Sequence, residues 1–143
     1  NFTLPLATQA REVVGIEGSP ALTERSLQNA ALNGLDKKTT FHNRNLFEFM
    51  LDDLKALGRF DRMLIDPPRE GAMEVCKAIA EAKDVDPSLQ PERIVYVSCN
   101  PATLARDAGV LVNVGGYRLS KAGVVNMFPH TAHVESIAVF DRV

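Results

Sequence analysis

Short apolar, β-branched runs alternate with amphipathic stretches along this chain, the pattern of successive βαβ units. Val13-Val14-Gly15-Ile16-Glu17 reads as the first strand. A helix follows it, with Ser19 placed to cap it, Pro20 at its first position and Gly34 just past its end. Thr39 to His42 reads as a second strand, and Leu46 to Leu57 as a helix capped by Asn45 and ended by Gly58. Arg62 to Asp66 is the next strand, stopped by Pro67-Pro68, which cannot donate to a sheet. The pattern then predicts a helix over 72–82, a turn-rich loop over 84–91 and a buried strand over 93–98. A further helix starts at Pro101 behind Asn100 and fades before Gly115-Gly116. Tyr117 to Asn126 and Val134 to Phe140 close the chain as strands. The gap between them is too short for a helical crossover, so they pair antiparallel. The sum is one α/β domain over residues 1–143, a doubly wound sheet with an antiparallel strand pair at its C-terminal end.

Composition narrows the function. No apolar run approaches the roughly 18 residues of a membrane span. Two cysteines, Cys76 and Cys99, cannot build a disulfide framework or a four-thiolate metal site. A formal charge of −2 lacks the basic surplus of a stand-alone nucleic-acid binder. No signal peptide leads the 143 residues, which points to a cytoplasmic setting with reduced thiols. The chain opens Asn1-Phe2-Thr3 without Met, and reads as a fragment that begins inside a structural element.

In open α/β sheets, ligands bind beyond the carboxyl ends of the parallel strands. The polar residues at those ends are Glu17, Asn45, Asp66 and Cys99, and the reversed last strand brings Glu135 to the same rim. Glu17 has the residue type that accepts two ribose hydroxyls at once, and equally that of an exposed strand-end carboxylate. Asp66-Pro67-Pro68-Arg69 leaves the sheet rigidly, as a catalytic wall or as a simple strand terminator. Cys99 precedes a helix N-terminus, where free N–H groups and the dipole favour a thiolate. Its alternative is a small buried hydrophobe, the reading that mid-helix Cys76 fits. His130 and His133 stand three apart, but no third ligand at suitable spacing supports a metal site. Glu135 beside Cys99 makes a nucleophile and base pair.

Two longer segments carry a resemblance. Tyr96-Val-Ser-Cys99-Asn-Pro-Ala-Thr-Leu-Ala-Arg-Asp107 and Met127-Phe-Pro-His-Thr-Ala-His-Val-Glu135 resemble the signatures of RNA (uracil-5-)-methyltransferases, of the RumA type that methylates 23S ribosomal RNA. The resemblance implies a class I S-adenosylmethionine-dependent methyltransferase fold, Rossmann-like, whose first strand is missing here. It implies Cys99 as catalytic nucleophile, Glu135 as general base, and Asn1, Glu17, Asn45 and Asp66 as contacts to S-adenosyl-L-methionine. It places an RNA-binding domain and an iron–sulfur cluster only in the absent N-terminal part, with 23S ribosomal RNA as partner of the full-length protein. It implies neither a membrane nor a metal in this portion, and an isolated chain that is inactive. The Asp-Pro-Pro-Arg segment is similar to the Asp-Pro-Pro-Tyr of amino-methylating enzymes, but Arg69 supplies no aromatic to stack on an exocyclic amine.

Three rivals stand beside this reading. A paralogous enzyme acting on another ribosomal site or on transfer RNA shares the same rim. An amino-methyltransferase is disfavoured by Arg69 and by the presence of both Cys99 and Glu135. A non-catalytic nucleotide- or RNA-binding module gives no reason for a thiol and a carboxylate on one edge. The discriminating expectation is that Cys99 and Glu135 open onto one cleft beside Asp66.

Overall fold

The structure, a computed structural model, describes residues 1–143, and the chain divides into two compact units, Asn1–Leu46 and Phe47–Val143. In the first unit, a short helix α1 (Thr3–Ala7) precedes strand β1 (Val13–Glu17), helix α2 (Pro20–Leu32) and strand β2 (Thr39–Asn43). β1 and β2 pair in parallel, from Val13 opposite Thr39 to Glu17 opposite Asn43. The start and stop of α2 follow the sequence signals. Ser19 Oγ accepts the Leu22 N–H at 3.4 Å, and Gly34 takes the left-handed φ of 68° that ends the helix. Gly15 is required by close approach, since a Cβ there would stand 2.8 Å from the Phe41 ring and 3.0 Å from Thr3 Oγ1.

The second unit holds a four-stranded sheet. Its strands are β3 (Arg62–Ile65), β4 (Arg93–Ser98), β5 (Tyr117–Val125) and β6 (Glu135–Arg142), in the order β3-β4-β6-β5. β3 and β4 are parallel, and β6 runs antiparallel to both β4 and β5. The predicted antiparallel ending is therefore present. Helices α3 (Leu51–Leu57), α4 (Met73–Val85) and α5 (Pro101–Asn113) complete the unit. Ile94, Tyr96 and Ser98 alternate as buried residues along β4, and Cys76, Ile79 and Leu111 from the helices are fully buried with them.

Two expectations are corrected. The helix expected over 46–57 breaks into a 3-10 turn at Leu46–Glu48 and α3. Asp53 explains the break: its Oδ2 accepts the Met50 N–H at 2.9 Å, so the helix starts at Met50 rather than behind Asn45. The six strands also form two sheets rather than one, since β1 pairs only with β2.

Candidate active site

The register of the second sheet fixes its upper rim. β4 and β6 are antiparallel, with Ser98 opposite Ser136. The ladder ends there: Cys99 directly follows Ser98 and Glu135 directly precedes Ser136, so the two stand at adjoining strand ends. Both side chains are half-buried, and both line one cleft of about 220 Å³ with Arg69, Phe128, His133 and Val134. Cys99 and Glu135, expected from the sequence as nucleophile and base, thus line one cleft.

Asp66 stands one residue beyond β3, whose Ile65 is opposite Tyr96, so it ends the neighbouring strand on the same rim. It is not among the residues lining the cleft of Cys99 and Glu135. The residue is largely exposed, yet partial burial of its charge raises the carboxyl above the ordinary carboxylate range. Glu17, Asn45 and Asn1 belong to the first unit. Glu17 ends β1, and its Oε1 accepts the Ser19 N–H at 3.0 Å, ahead of α2. Asn45 follows β2 as an exposed residue, and Asn1 precedes α1.

The loop from Asp66 to Ala72 is held down by one face of α5. Asn100 caps that helix through Oδ1, which accepts the Ala102 N–H at 3.1 Å, while its Nδ2 donates to the Arg69 carbonyl at 3.2 Å. Thr103 Oγ1 stands 3.1 Å from the same carbonyl, and Arg106 donates to the Glu70 carbonyl at 2.8 Å. Below the loop lies Asp107, with no exposed surface. Its Oδ2 accepts the Tyr96 hydroxyl at 2.6 Å and the Ala72 N–H at 2.7 Å, and its Oδ1 accepts Arg106 Nε at 2.9 Å. Burial and the Asp107 carboxylate together push the Tyr96 hydroxyl well above its usual range, so it stays a donor. This clamp carries little trace in the sequence. Its only signal is the spacing of Asn100, Thr103 and Arg106-Asp107, one helical turn apart.

The cysteines divide as their positions suggest. Cys76 is fully buried in α4, and burial pushes its thiol up to about 12. Cys99 opens onto the cleft. Brief iodoacetamide treatment of the native protein is expected to alkylate Cys99 and leave Cys76 unmodified. Equal labelling of both, read by peptide mass spectrometry, would contradict this division. Of the two histidines in the last loop, His133 lines the cleft and stands edge-on to Phe128, with ring centroids 6.5 Å apart, while His130 does not line it. No group of three or more His, Cys, Asp or Glu side chains is arranged to hold a metal ion. No helix is long and apolar enough to cross a membrane.

The family model of tRNA (uracil-5-)-methyltransferases matches residues 1–143. The chain belongs to this family. Among curated relatives, it is 69% identical over 142 residues to the 23S rRNA (uracil(1939)-C(5))-methyltransferase RlmD of Cupriavidus pinatubonensis, covering 99% of this chain and 31% of the relative. It is also 69% identical over 145 residues to the RlmD of Ralstonia nicotianae, covering 99% of this chain and 32% of that protein. The chain therefore spans about a third of the length of the curated relatives it matches. Among solved structures, the Pyrococcus abyssi tRNA (uracil-54, C5)-methyltransferase in complex with S-adenosyl-L-homocysteine superposes with a TM-score of 0.75 at 32% identity, covering 97% of this chain and 31% of that one. The Synechocystis magnesium protoporphyrin IX methyltransferase, with bound SAM, superposes at 0.67 with 16% identity over 99% of this chain and 66% of that one, a likeness of fold alone. The fold is the Rossmann-like α/β methyltransferase fold that the resemblance implied.

Proposed function

We propose that this chain is part of the catalytic domain, over residues 1–143, of an enzyme that methylates carbon 5 of a uridine in 23S ribosomal RNA, the position matching uridine 1939 of the RlmD relatives. The observation that carries the reading is the single cleft lined by Cys99 and Glu135 in a chain matched throughout by the family model. Carbon 5 of uracil is too weak a nucleophile to take a methyl group unaided. The Cys99 thiolate adds to carbon 6, and the ring electrons move onto the carbon 5 to oxygen 4 enolate. S-adenosyl-L-methionine supplies the electrophilic methyl group to carbon 5. Glu135 then removes the carbon 5 proton, the double bond re-forms, and the sulfur to carbon 6 bond breaks to release Cys99. The base leaves its stack to enter the cleft.

The residues fit the methyl donor by their chemistry. Glu17 and Asp66 are carboxylates at strand ends, suited to ribose hydroxyls and amino groups, and Asn45 and Asn1 add amide partners. The chain spans about a third of the length of its curated relatives, and by itself it is proposed to be inactive and to bind S-adenosyl-L-methionine weakly. Titration calorimetry of the isolated chain is expected to show no micromolar binding, and a micromolar Kd would contradict this part of the proposal. The reading as a whole is tested with the complete polypeptide and RNA containing 5-fluorouridine. Fluorine at carbon 5 leaves Glu135 no proton to remove, so the covalent complex persists through denaturing electrophoresis. The absence of any such complex counts against the reading.

A further inference from the structure

We infer that Arg69 is the group that neutralises the negative charge developing on oxygen 4 of the uracil as Cys99 adds, an inference that rests on the uracil-methylating reading above. Arg69 shares the cleft with Cys99 and Glu135. Among the six lining residues it is the one with a permanent positive charge. Its guanidinium makes no hydrogen bond and no ion pair. By contrast Arg62, Arg93 and Arg106 are each committed to a carboxylate, and Arg142 to two carbonyls. An uncommitted cation facing a cleft is a donor awaiting an acceptor.

Its backbone is as fixed as its side chain is free. Arg69 follows two prolines, its carbonyl accepts from Asn100 Nδ2, and Thr103 Oγ1 stands in hydrogen-bond reach of the same oxygen. The turn closes with the Gly71 N–H on the Pro68 carbonyl at 2.9 Å, and buried Asp107 holds the next N–H. Asn100 is the residue directly after Cys99, so the nucleophile and Arg69 are tied to one another through a single side chain. A preorganised donor of this kind acts where charge appears in the transition state.

The chemistry names the acceptor. When the sulfur to carbon 6 bond forms, the electron pair of the carbon 5 to carbon 6 bond moves toward carbon 4, and the charge settles on oxygen 4. Arg69 N–H groups stabilise that oxygen without giving up a proton. As carbon 5 takes the methyl group the carbonyl re-forms and the charge leaves oxygen 4. It returns there when Glu135 takes the carbon 5 proton, so the same donor serves both steps.

The test uses the complete polypeptide and an RNA oligonucleotide spanning uridine 1939, with either uridine or 4-thiouridine at that position. Sulfur is the weaker hydrogen-bond acceptor. Arg69→Ala is expected to lower the single-turnover methylation rate at saturating RNA about 100-fold, the scale of one oxyanion donor. Its RNA Kd should stay within about threefold of wild type, and Arg69→Lys should recover part of the rate. The rate ratio of uridine to 4-thiouridine should be at least about tenfold larger for wild type than for Arg69→Ala, which a merely structural role would not produce. A variant that loses RNA affinity but keeps its saturated rate overturns the inference in favour of a phosphate grip. Equal ratios for both proteins overturn it as well. If wild type methylates this RNA and Arg69→Ala matches it, the inference alone fails; if wild type forms neither product nor adduct, the uracil reading fails first.

Discussion

Replacing Cys99 with alanine is expected to abolish the covalent complex with 5-fluorouridine RNA and to lower methylation by roughly 10⁴-fold or more, as for other enzymes that lose a covalent nucleophile. The size of the effect follows from the chemistry. Without sulfur on carbon 6 there is no enolate, and Glu135 has no activated carbon 5 proton to remove. The fold should be unharmed, because Cys99 lies beyond the end of β4, is half-buried and opens onto a cleft rather than into the core. Cys76→Ala is the informative contrast. It removes a fully buried thiol from α4, so its cost appears in stability while the adduct still forms. An adduct that persists in Cys99→Ala assigns the chemistry to another residue.

The second large effect concerns stability. Gly71 takes φ of 84°, in the left-handed region that strains any residue with a Cβ. A Cβ there would also stand 2.6 Å from Asp107 Oδ2 and 2.8 Å from an Arg106 guanidinium nitrogen. Asp107 cannot retreat, since it is fully buried and already holds Tyr96, Ala72 and Arg106. Left-handed strain of about 1–2 kcal/mol and overpacking of about 1–3 kcal/mol add to an expected loss of about 3 kcal/mol for Gly71→Ala. Urea unfolding measures it directly. Gly34→Ala is the matched control, with φ of 68° and open space around the missing Cβ, so it should lose only the strain. Equal losses for the two variants would show that the clamp below the Asp66–Ala72 loop contributes nothing.

Local signals made most of the elements legible. Ser19, Pro20 and Gly34 bound α2 by capping chemistry that acts within a few residues, and the structure keeps those bounds. That Cys99 and Glu135 share one rim was legible for a different reason. The short gap before the last strand reverses it against β5, so it starts on the rim where β4 ends. The helix expected over 46–57 starts later because two residues have capping chemistry, Asn45 by type and Asp53 by reaching back to Met50. Only geometry chooses between them.

The clamp on Arg69 was hidden for a stronger reason. An aspartate in a helix reads as a solvent-facing residue, since carboxylates are rarely buried without partners. Asp107 is buried because its partners come from elsewhere in the chain: Tyr96 from β4 and Ala72 from the loop after β3. In the sequence Arg69 stands out only as the residue in place of an aromatic. Its place in the cleft depends on Asn100 and Thr103 gripping its carbonyl across more than 30 positions of sequence. Long-range hydrogen bonds of this kind leave no periodic trace.

The most direct test of covalent catalysis at Cys99 is to locate the RNA attachment by mass spectrometry. The complete polypeptide is reacted with S-adenosyl-L-methionine and 5-fluorouridine RNA, then digested with trypsin and nuclease. The chain's two cysteines fall in different tryptic peptides, Cys99 in Ile94–Arg106 and Cys76 in Glu70–Lys77. The predicted result is a methylated fluorouridine nucleotide on the peptide Ile94–Arg106, attached at Cys99. A nucleotide found on Glu70–Lys77, or on a peptide containing neither cysteine, would contradict the assignment of Cys99 as the nucleophile.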